Sequence, residues 1–159
     1  MTLYKHFPSK EALVEAVVGH LDELFRGRYA TALEAGALGP TERLLGLFQV
    51  VEEWTRSGDF CGCPFVNICA EYADHDSPVH GAAARNKAYM LEVMTGLTQA
   101  AGAADPAGLA RQLQILLEGS VALAQVTGQA SRVGDAREAA RVLIAAALPP
   151  GASAVFPGK

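Results

Sequence analysis

Hydrophobic residues recur at steps of three and four positions along most of this chain, and short groups of glycine, proline and other turn-forming residues separate the repeats. Spacing of this kind is typical of amphipathic α-helices. It predicts helices over about 9–34, 40–58, 64–74, 78–101, 105–128 and 134–148. No segment of the sequence shows the strict alternation of a half-buried strand, so the predicted fold class is all-α.

Individual residues indicate where several of these helices begin. Pro8 ends a short first helix, because the residue before a proline avoids the α conformation, and Ser9 is suited to cap the helix that follows. Asp105 and Pro106 together give a capping residue and a first helical residue. In the helix after Ser9, the apolar positions predicted to face the core are Leu13, Val17, Leu21, Leu24, Phe25, Ala32 and Leu33.

The first thirteen residues contain a short motif, Thr2-Leu3-Tyr4-x-His6-Phe7-x-Ser9-Lys10-Glu11-x-Leu13. It resembles the end of the recognition helix and the start of the next helix in the tetracycline-repressor (TetR) family. In that family this segment closes an N-terminal helix-turn-helix, and the rest of the chain forms a helical domain that senses ligand and dimerises. The resemblance implies a TetR-like fold with only the end of the helix-turn-helix present. Residues 1–36 would hold that remnant and the connecting helix, 37–150 the ligand-binding and dimerisation domain, and 151–159 a flexible tail.

Five residues of this motif have side chains suited to DNA: Thr2, Tyr4, Lys5, His6 and Lys10. Threonine can touch a base edge or a thymine methyl group, tyrosine and histidine can donate to phosphate oxygens, and lysine can neutralise a phosphate. Operator DNA is therefore a predicted partner of the intact protein. The alternative is an ordinary helix-turn-helix corner with a solvated lysine.

The two earlier helices of such a motif would have to precede Met1. We therefore expect this chain as it stands to bind operator DNA weakly or not at all. A start codon assigned too far downstream, a truncated fragment and a natural truncation would each explain the pattern, and the sequence does not separate them.

Composition supports a folded body that does not itself bind DNA. Half of the 159 residues are hydrophobic and 19% are charged, so the chain can bury a full core. The net charge of −4 is unfavourable for binding nucleic acid. The first ten residues are the exception, because they contain Lys5 and Lys10 and no acidic residue. The sequence contains no apolar run of membrane-spanning length and no signal peptide. Its three cysteines, an odd number, fit a reducing compartment better than a set of disulfides. We therefore predict a cytoplasmic protein with no membrane partner and no cofactor.

The last two predicted helices have wide apolar faces, which we interpret as a homodimer interface. The residues assigned to it are Leu113, Leu117, Val121, Ala140, Leu143 and Ile144. Paired antiparallel helices with spare apolar surface commonly form a four-helix dimer interface, and TetR-like proteins dimerise through their last two helices. The alternative is that these faces complete the core of the monomer.

The middle of the chain is the predicted sensor. The stretch Phe60-Cys61-Gly62-Cys63-Pro64-Phe65-x-Asn67 resembles one found in a subset of TetR-like sensor domains, where it precedes a helix that lines the pocket. The predicted ligand-binding residues combine aromatic and polar side chains, as in most small-molecule sites: Trp54, Phe60, Phe65, Asn67, Glu71, Tyr89 and Gln125. We expect a small, mostly apolar effector. The alternative is that the aromatics are core and that Asn67 satisfies backbone groups.

Other chemistry is less well supported by the sequence. Cys61, Cys63 and Cys69 with His75 and His80 match zinc spacing poorly, so no metal site is predicted. A disulfide sensor at Cys61 and Cys63 is conceivable, but buried and inert thiols are the ordinary case. His75 belongs to no catalytic motif that would supply it with a nucleophile, so we do not expect this protein to be an enzyme.

These observations predict a ligand-responsive, TetR-like transcriptional regulator. A repressor is the expected role, although the sequence does not distinguish a repressor from an activator. The alternative is a stand-alone helical module that binds a small molecule or dimerises without affinity for DNA. The identity of the effector, the operator sequence and the regulated genes are beyond what the sequence specifies.

Overall fold

The computed structural model describes residues 3–34 and 38–149. Within those ranges the chain is helical and contains no strand, as predicted. The helices are α1 (Leu3–His6), α2 (Lys10–Leu33), α3 (Pro40–Thr55), α4 (Pro64–Glu71), α5 (Pro78–Ala100), α6 (Pro106–Thr127) and α7 (Ser131–Ala147). Each predicted helix is present. α3 and α4 end three residues earlier than expected, and α7 begins three residues earlier.

The helix ends follow from the residues found there. The Ser9 side chain accepts a hydrogen bond from the Ala12 amide at 3.1 Å, and Asp105 Oδ1 accepts one from the Gly108 amide at 2.9 Å. These bonds satisfy amides that have no partner within the helix. α6 ends at Gly128, whose φ of +67° is a left-handed conformation that favours glycine. Both predicted caps are confirmed.

The helices pack around α3 and α5. α2 packs against α3 and α5 on one side, and α7 packs against α3 and α6 on the other. α4 lies on α5, and α5 also packs along α6. The largest side chains that are fully enclosed come from several helices and form one core: Phe48, Phe65, Leu44, Leu47, Met94, Leu113 and Ile144. No helix in the described ranges has the length and apolar character needed to cross a membrane.

The face of α2 that meets the core differs from the predicted one. Val17 and Leu24 are 47% and 50% exposed, whereas Val18, Phe25 and Tyr29 are buried. Steps of seven and four residues keep the three buried positions on one side of a 3.6-residue helix, and Val17 and Leu24 are each about 100° away from that side. The prediction was right for Phe25 and for Leu21 and Leu33, which pack partly buried against the core, and wrong for Val17 and Leu24.

The residues assigned to a dimer interface also lie elsewhere than predicted. Most of them are buried within the monomer, where α6 and α7 meet α3 and α5: Leu113, Leu117, Val121, Ala140 and Ile144. Leu143 is partly buried against the same core. The alternative, that these faces complete the monomer, is therefore correct for the five buried residues, and the assignment of Leu143 to an interface stays a prediction.

A buried carboxylate joins α3 to α7. Glu52 is 6% exposed, and its oxygens lie 2.6 Å from Arg56 Nη2 and 3.4 Å from Arg137 Nη1. The pair with Arg137 of α7 joins the two helices, and Arg56, which caps the end of α3, holds the carboxylate from its own segment. Gly134 of α7 lies against the Glu52 carboxylate, where a larger side chain would be crowded.

Two predicted domain limits lie outside the described residues. The boundary at 36 and 37 falls in the segment 35–37, and the predicted tail 151–159 follows the last described residue. α2 itself packs against α3 and α5, so the predicted connecting helix is part of the same helical body.

Candidate ligand-sensing site

Three ionisable side chains meet inside the helical body. The ammonium of Lys87 on α5 donates to both carboxylate oxygens of Glu118 on α6, at 2.7 and 2.9 Å. The same ammonium lies 3.2 Å from the sulfur of Cys63, at the start of α4. Cys63 is only 7% exposed. These three residues, here called the Lys87 cluster, join three helices at one point.

Local backbone structure holds the Lys87 cluster in place. The Gln114 side chain on α6 donates to the Lys87 carbonyl at 2.8 Å, which fixes α5 against α6. Asn67 and Gln125 both donate to the Cys61 carbonyl, at 3.3 and 3.2 Å. Gly62 has a φ of +91° and lies against Gln125, where a side chain would collide. This tight turn directs Cys63 inward.

Aromatic rings surround the cluster. Phe25 of α2 makes edge contacts with Trp54 and Phe65, with ring centres 5.0 and 5.5 Å apart. Phe60 packs edge-on behind Trp54 at 5.0 Å. The Lys87 ammonium lies 5.6 Å from the centre of the Phe65 ring, close enough for a cation–π contact. A charged cluster within aromatic walls suits a ligand with an apolar body and one polar group.

A small cavity of about 20 Å³ lies at this point. Its walls come from α2, α3, α5, α6 and the start of α4: Phe25, Tyr29, Val51, Trp54, Cys63, Phe65, Asn86, Lys87, Leu117, Glu118 and Val121. A space of this size holds about one water molecule. An effector can therefore enter only if the surrounding helices move apart.

Burial and neighbouring charges set the protonation states. Burial by itself lowers the pKa of Lys87, but Glu118 and Cys63 favour the ammonium more strongly, and the net result is a raised pKa. Lys87 is therefore charged at neutral pH. Burial, and next the charge of Glu118, raise the pKa of the Tyr29 phenol well above its ordinary value. Tyr29 therefore stays neutral beside the cluster.

A second polar chain ties α2 to α5. Asn86 donates to Asp22 Oδ1 at 2.8 Å, and Arg26 Nε donates to Asp22 Oδ2 at 2.7 Å. The Arg26 guanidinium also lies 3.7 Å from the centre of the Tyr89 ring. α2 is thus bound to α5 by polar contacts, while its Phe25 packs against Trp54 of α3 and Phe65 of α4.

The structure brings only part of the predicted ligand-binding set together. Trp54 and Phe65 line the cavity, and Phe60 supports Trp54 from behind. Tyr89 instead packs under Arg26, while Asn67 and Gln125 hold the Cys61 carbonyl. Glu71 is exposed and borders a shallow surface groove with Lys10. These last four residues lie outside the cavity wall.

Sequence reasoning missed the polar residues at the centre of the site. Lys87, Glu118 and Asn86 line the cavity but were not assigned to it, and Cys63 was treated as an inert thiol. A signal was present for Lys87, because it follows Ala83 by four residues and precedes Met90 by three. Both neighbours are buried, so Lys87 is a charge on the apolar face of α5.

The structure describes the side chains of three of the five predicted DNA-contacting residues. Lys5, His6 and Lys10 are exposed at α1 and the start of α2, where they are accessible to a partner. Thr2 and the side chain of Tyr4 lie outside the described residues.

The outer face of α6 and α7 is apolar and exposed. Ile115 and Val126 on α6 are 71% and 84% exposed, and Val142 on α7 is 68% exposed. Between and beside them are small or apolar exposed residues at three- and four-residue steps: Gly119, Ala122, Leu123, Ala139 and Ala146. We call this surface the outer α6/α7 face.

The cysteine and histidine residues considered for zinc do not gather into one site. His75 and His80 have ring centres 4.4 Å apart, and His80 Nδ1 is bonded to the Tyr72 carbonyl at 2.8 Å. Within the described residues no three His, Cys, Asp or Glu side chains are grouped to hold a metal ion. All three cysteines have free thiols.

A helical body with an aromatic site between its helices and an apolar outer pair of helices is the architecture expected of a sensor domain in a transcriptional regulator. Residues 40–140 match the family described as Tetracyclin repressor-like, C-terminal domain. The chain therefore belongs to the tetracycline-repressor family and is a TetR-like transcriptional regulator. This confirms the family and fold class indicated by the N-terminal motif.

Individual relatives agree with this assignment. The HTH-type transcriptional regulator YjdC of Escherichia coli (strain K12) is 23% identical over 142 residues, which are 89% of this chain and 74% of YjdC. The TetR-family regulator SCO4454 of Streptomyces coelicolor superposes with a TM-score of 0.87 at 24% identity, over 93% of this chain and 78% of that one. A TetR transcriptional regulator of Chloroflexus aurantiacus J-10-FL gives a TM-score of 0.76 at 27% identity, over 89% and 75% of the two chains.

Proposed function

We propose that this protein is a cytoplasmic, homodimeric repressor that releases operator DNA when a small, mostly apolar effector enters the site around the Lys87 cluster. The observation that carries the proposal is the small aromatic cavity with one half-buried ion pair in its wall. Trp54 and Phe65 would contact the apolar part of the effector, and the Lys87 ammonium or the Glu118 carboxylate would bind its polar group. The proposed role is regulatory and includes no catalysis.

The path from effector to DNA runs through α2. Phe25 and Tyr29 of α2 form part of the cavity wall. An effector larger than the 20 Å³ cavity must displace these rings, and α2 moves with them. The helix begins at Lys10, immediately after the α1 segment that carries Lys5 and His6. Coupling of this kind requires the effector to bind the two positions of α2 with different affinity.

DNA contact in this proposal uses the N-terminal residues. Lys5, His6 and Lys10 are exposed in one short region, and Thr2 and Tyr4 belong to the same motif. Cationic and hydroxyl-bearing side chains are suited to phosphates and base edges. Two such segments, one from each subunit, would read the two halves of a symmetric operator.

Dimerisation in this proposal uses the outer α6/α7 face. Exposed apolar surface at helical spacing on two adjacent helices is unusual for a monomer. Gly119, Ala122, Ala139 and Ala146 would allow two copies to approach closely, and Val126 and Val142 would fill the space between them. Two copies related by a two-fold axis would bury this face in a four-helix bundle.

Binding of an effector should be detectable through Trp54, the only tryptophan of the chain. In a screen of small hydrophobic compounds, we expect at least one to change the Trp54 emission and raise the melting temperature. Val121→Phe, which fills part of the cavity, should weaken that ligand by about tenfold or more, since overpacking a cavity costs about 1–3 kcal/mol. Titration by fluorescence and thermal shift measures both effects.

Glu71→Ala is the matched control, because Glu71 is exposed outside the cavity. It should leave the affinity unchanged. A screen in which neither emission nor melting temperature responds would contradict the proposed site. Equal loss of affinity in Val121→Phe and Glu71→Ala would place the ligand elsewhere.

A further inference from the structure

We propose that Cys63 is a covalent sensing site for small α,β-unsaturated carbonyl compounds, with Lys87 as the residue that activates its sulfur. The regulatory consequence rests on the proposed function, whereas the reactivity of the thiol does not. The site is the Lys87 cluster itself, in which a nucleophile, a cation and a carboxylate line one cavity.

The contact between Cys63 and Lys87 is the main support. The sulfur lies 3.2 Å from the Lys87 nitrogen, and that nitrogen is also held by both oxygens of Glu118. The nucleophilic form of cysteine is the thiolate, and an adjacent ammonium favours negative charge on sulfur. Glu118 fixes the position of the ammonium and keeps it charged. The Lys87 ammonium is therefore positioned to stabilise negative charge that develops on the Cys63 sulfur during its reaction.

The other two thiols differ from Cys63 in their surroundings. Cys61 is exposed on the turn before α4, and Cys69 is partly buried on α4. Burial, and next the proximity of Cys63, raise the pKa of the Cys69 thiol, so it stays protonated at neutral pH. In the described part of the chain, Cys63 is the thiol that accepts a hydrogen bond from a cation.

The proposed step needs no oxidant or reductant. The Cys63 sulfur forms a bond to the β-carbon of the unsaturated carbonyl compound, and the electron pair of the carbon–carbon double bond moves to the α-carbon as an enolate. The α-carbon then takes one proton, which balances the proton lost from the thiol. The net reaction is addition of S–H across the double bond, and Lys87 stays an ammonium throughout.

The adduct cannot fit in the space observed. A three- or four-carbon group attached to Cys63 is larger than the cavity of about 20 Å³. Phe25 and Tyr29 of α2 and Trp54 of α3 form the opposing walls and must move. Covalent modification would therefore displace α2 in the same direction as a bound effector.

The test is alkylation of the full chain by methyl vinyl ketone at neutral pH, with the rate at each cysteine measured by peptide mass spectrometry. We expect Cys63 to be modified and Trp54 emission to change in parallel. Lys87→Met should slow modification of Cys63 by about tenfold, which is typical for loss of one adjacent charge at a thiol. Lys87→Arg, which keeps the charge, should recover part of the rate.

Cys61 is an internal control in every sample, because it is exposed and its rate should be the same in all variants. Cys63→Ser should abolish the change in Trp54 emission while Cys61 is still alkylated. The proposal is overturned if folded protein is alkylated at Cys61 and not at Cys63. It is also overturned if Lys87→Met and the unmodified chain react at Cys63 with equal rates. Either result leaves the noncovalent effector site, tested by the hydrophobic ligand screen, unaffected.

Discussion

Leu117→Asp should prevent this protein from folding. Leu117 is 3% exposed on the inner face of α6 and forms part of the cavity wall beside Val121. An unpaired carboxylate at that position costs about 3–5 kcal/mol in addition to the lost apolar contacts. A domain of this size is stable by about 5–15 kcal/mol in total. Circular dichroism during chemical denaturation should show little or no native baseline.

Leu123→Asp is the matched control for this prediction. It makes the same substitution on the same helix, but Leu123 is 54% exposed on the outer face. Its helical signal and cooperative unfolding should be preserved. If Leu117→Asp unfolds at the same denaturant concentration as the unmodified chain, the inner face of α6 has been assigned incorrectly.

Val126→Asp combined with Val142→Asp should give a folded monomer. These valines are 84% and 68% exposed, so the monomer can accept both charges. In the proposed dimer, the same positions would bring four carboxylates into an apolar interface, which should weaken association by about 100-fold or more. Light scattering should give twice the 16.7 kDa of one chain for the unmodified protein and a single chain for the variant.

Val17→Asp is the control here, because Val17 is a valine exposed to 47% on α2 and lies away from the outer α6/α7 face. It should remain dimeric. A well-folded monomer at high micromolar concentration for the unmodified chain would contradict the proposed interface.

The order and type of the helices could be predicted because local residues specify them. Ser9, Asp105 and Gly128 act within one helical turn, and their effects are visible in a short stretch of sequence. The side of each helix that meets the core was harder to predict. α6 is apolar on two sides, with Leu113 and Leu117 inside and Ile115 outside. Hydrophobicity alone does not distinguish the core of one chain from an interface between two.

The candidate site was predictable in location but not in chemistry. Aromatic residues around Trp54 and Phe65 indicated the region in which the structure has its small cavity, because large rings at helical spacing must pack somewhere inside. The Lys87 cluster joins residues 24 and 31 positions apart in the chain. Their contact depends on how α4, α5 and α6 pack, and no local pattern encodes that arrangement. The prediction that Asn67 and Gln125 bind ligand failed for the same reason. Their hydrogen bonds to the Cys61 carbonyl, which hold the turn before α4, depend on how the helices pack.

In the proposed mechanism, α2 connects the cavity to the N-terminal residues. α2 is held to α5 through Asp22 and Asn86 and reaches the cavity through Phe25. In that mechanism, a change at the cavity would be passed along α2 to its first residues, beside the exposed Lys5 and Lys10. The two proposed signals, a bound apolar molecule and a modified Cys63, would act on the same wall.

Occupancy of operator DNA in the cell tests the central claim most directly. The protein would be expressed from its own gene, with any in-frame coding sequence upstream of Met1 retained and a C-terminal epitope tag added. It would then be cross-linked to DNA and the recovered sites sequenced. The account predicts a small number of enriched sites with two-fold symmetry, as expected for a dimer that reads two half-sites. Recovery of no specific DNA by a protein shown to be folded and dimeric would contradict the account. That result would instead favour a stand-alone helical module that binds its ligand without acting on DNA.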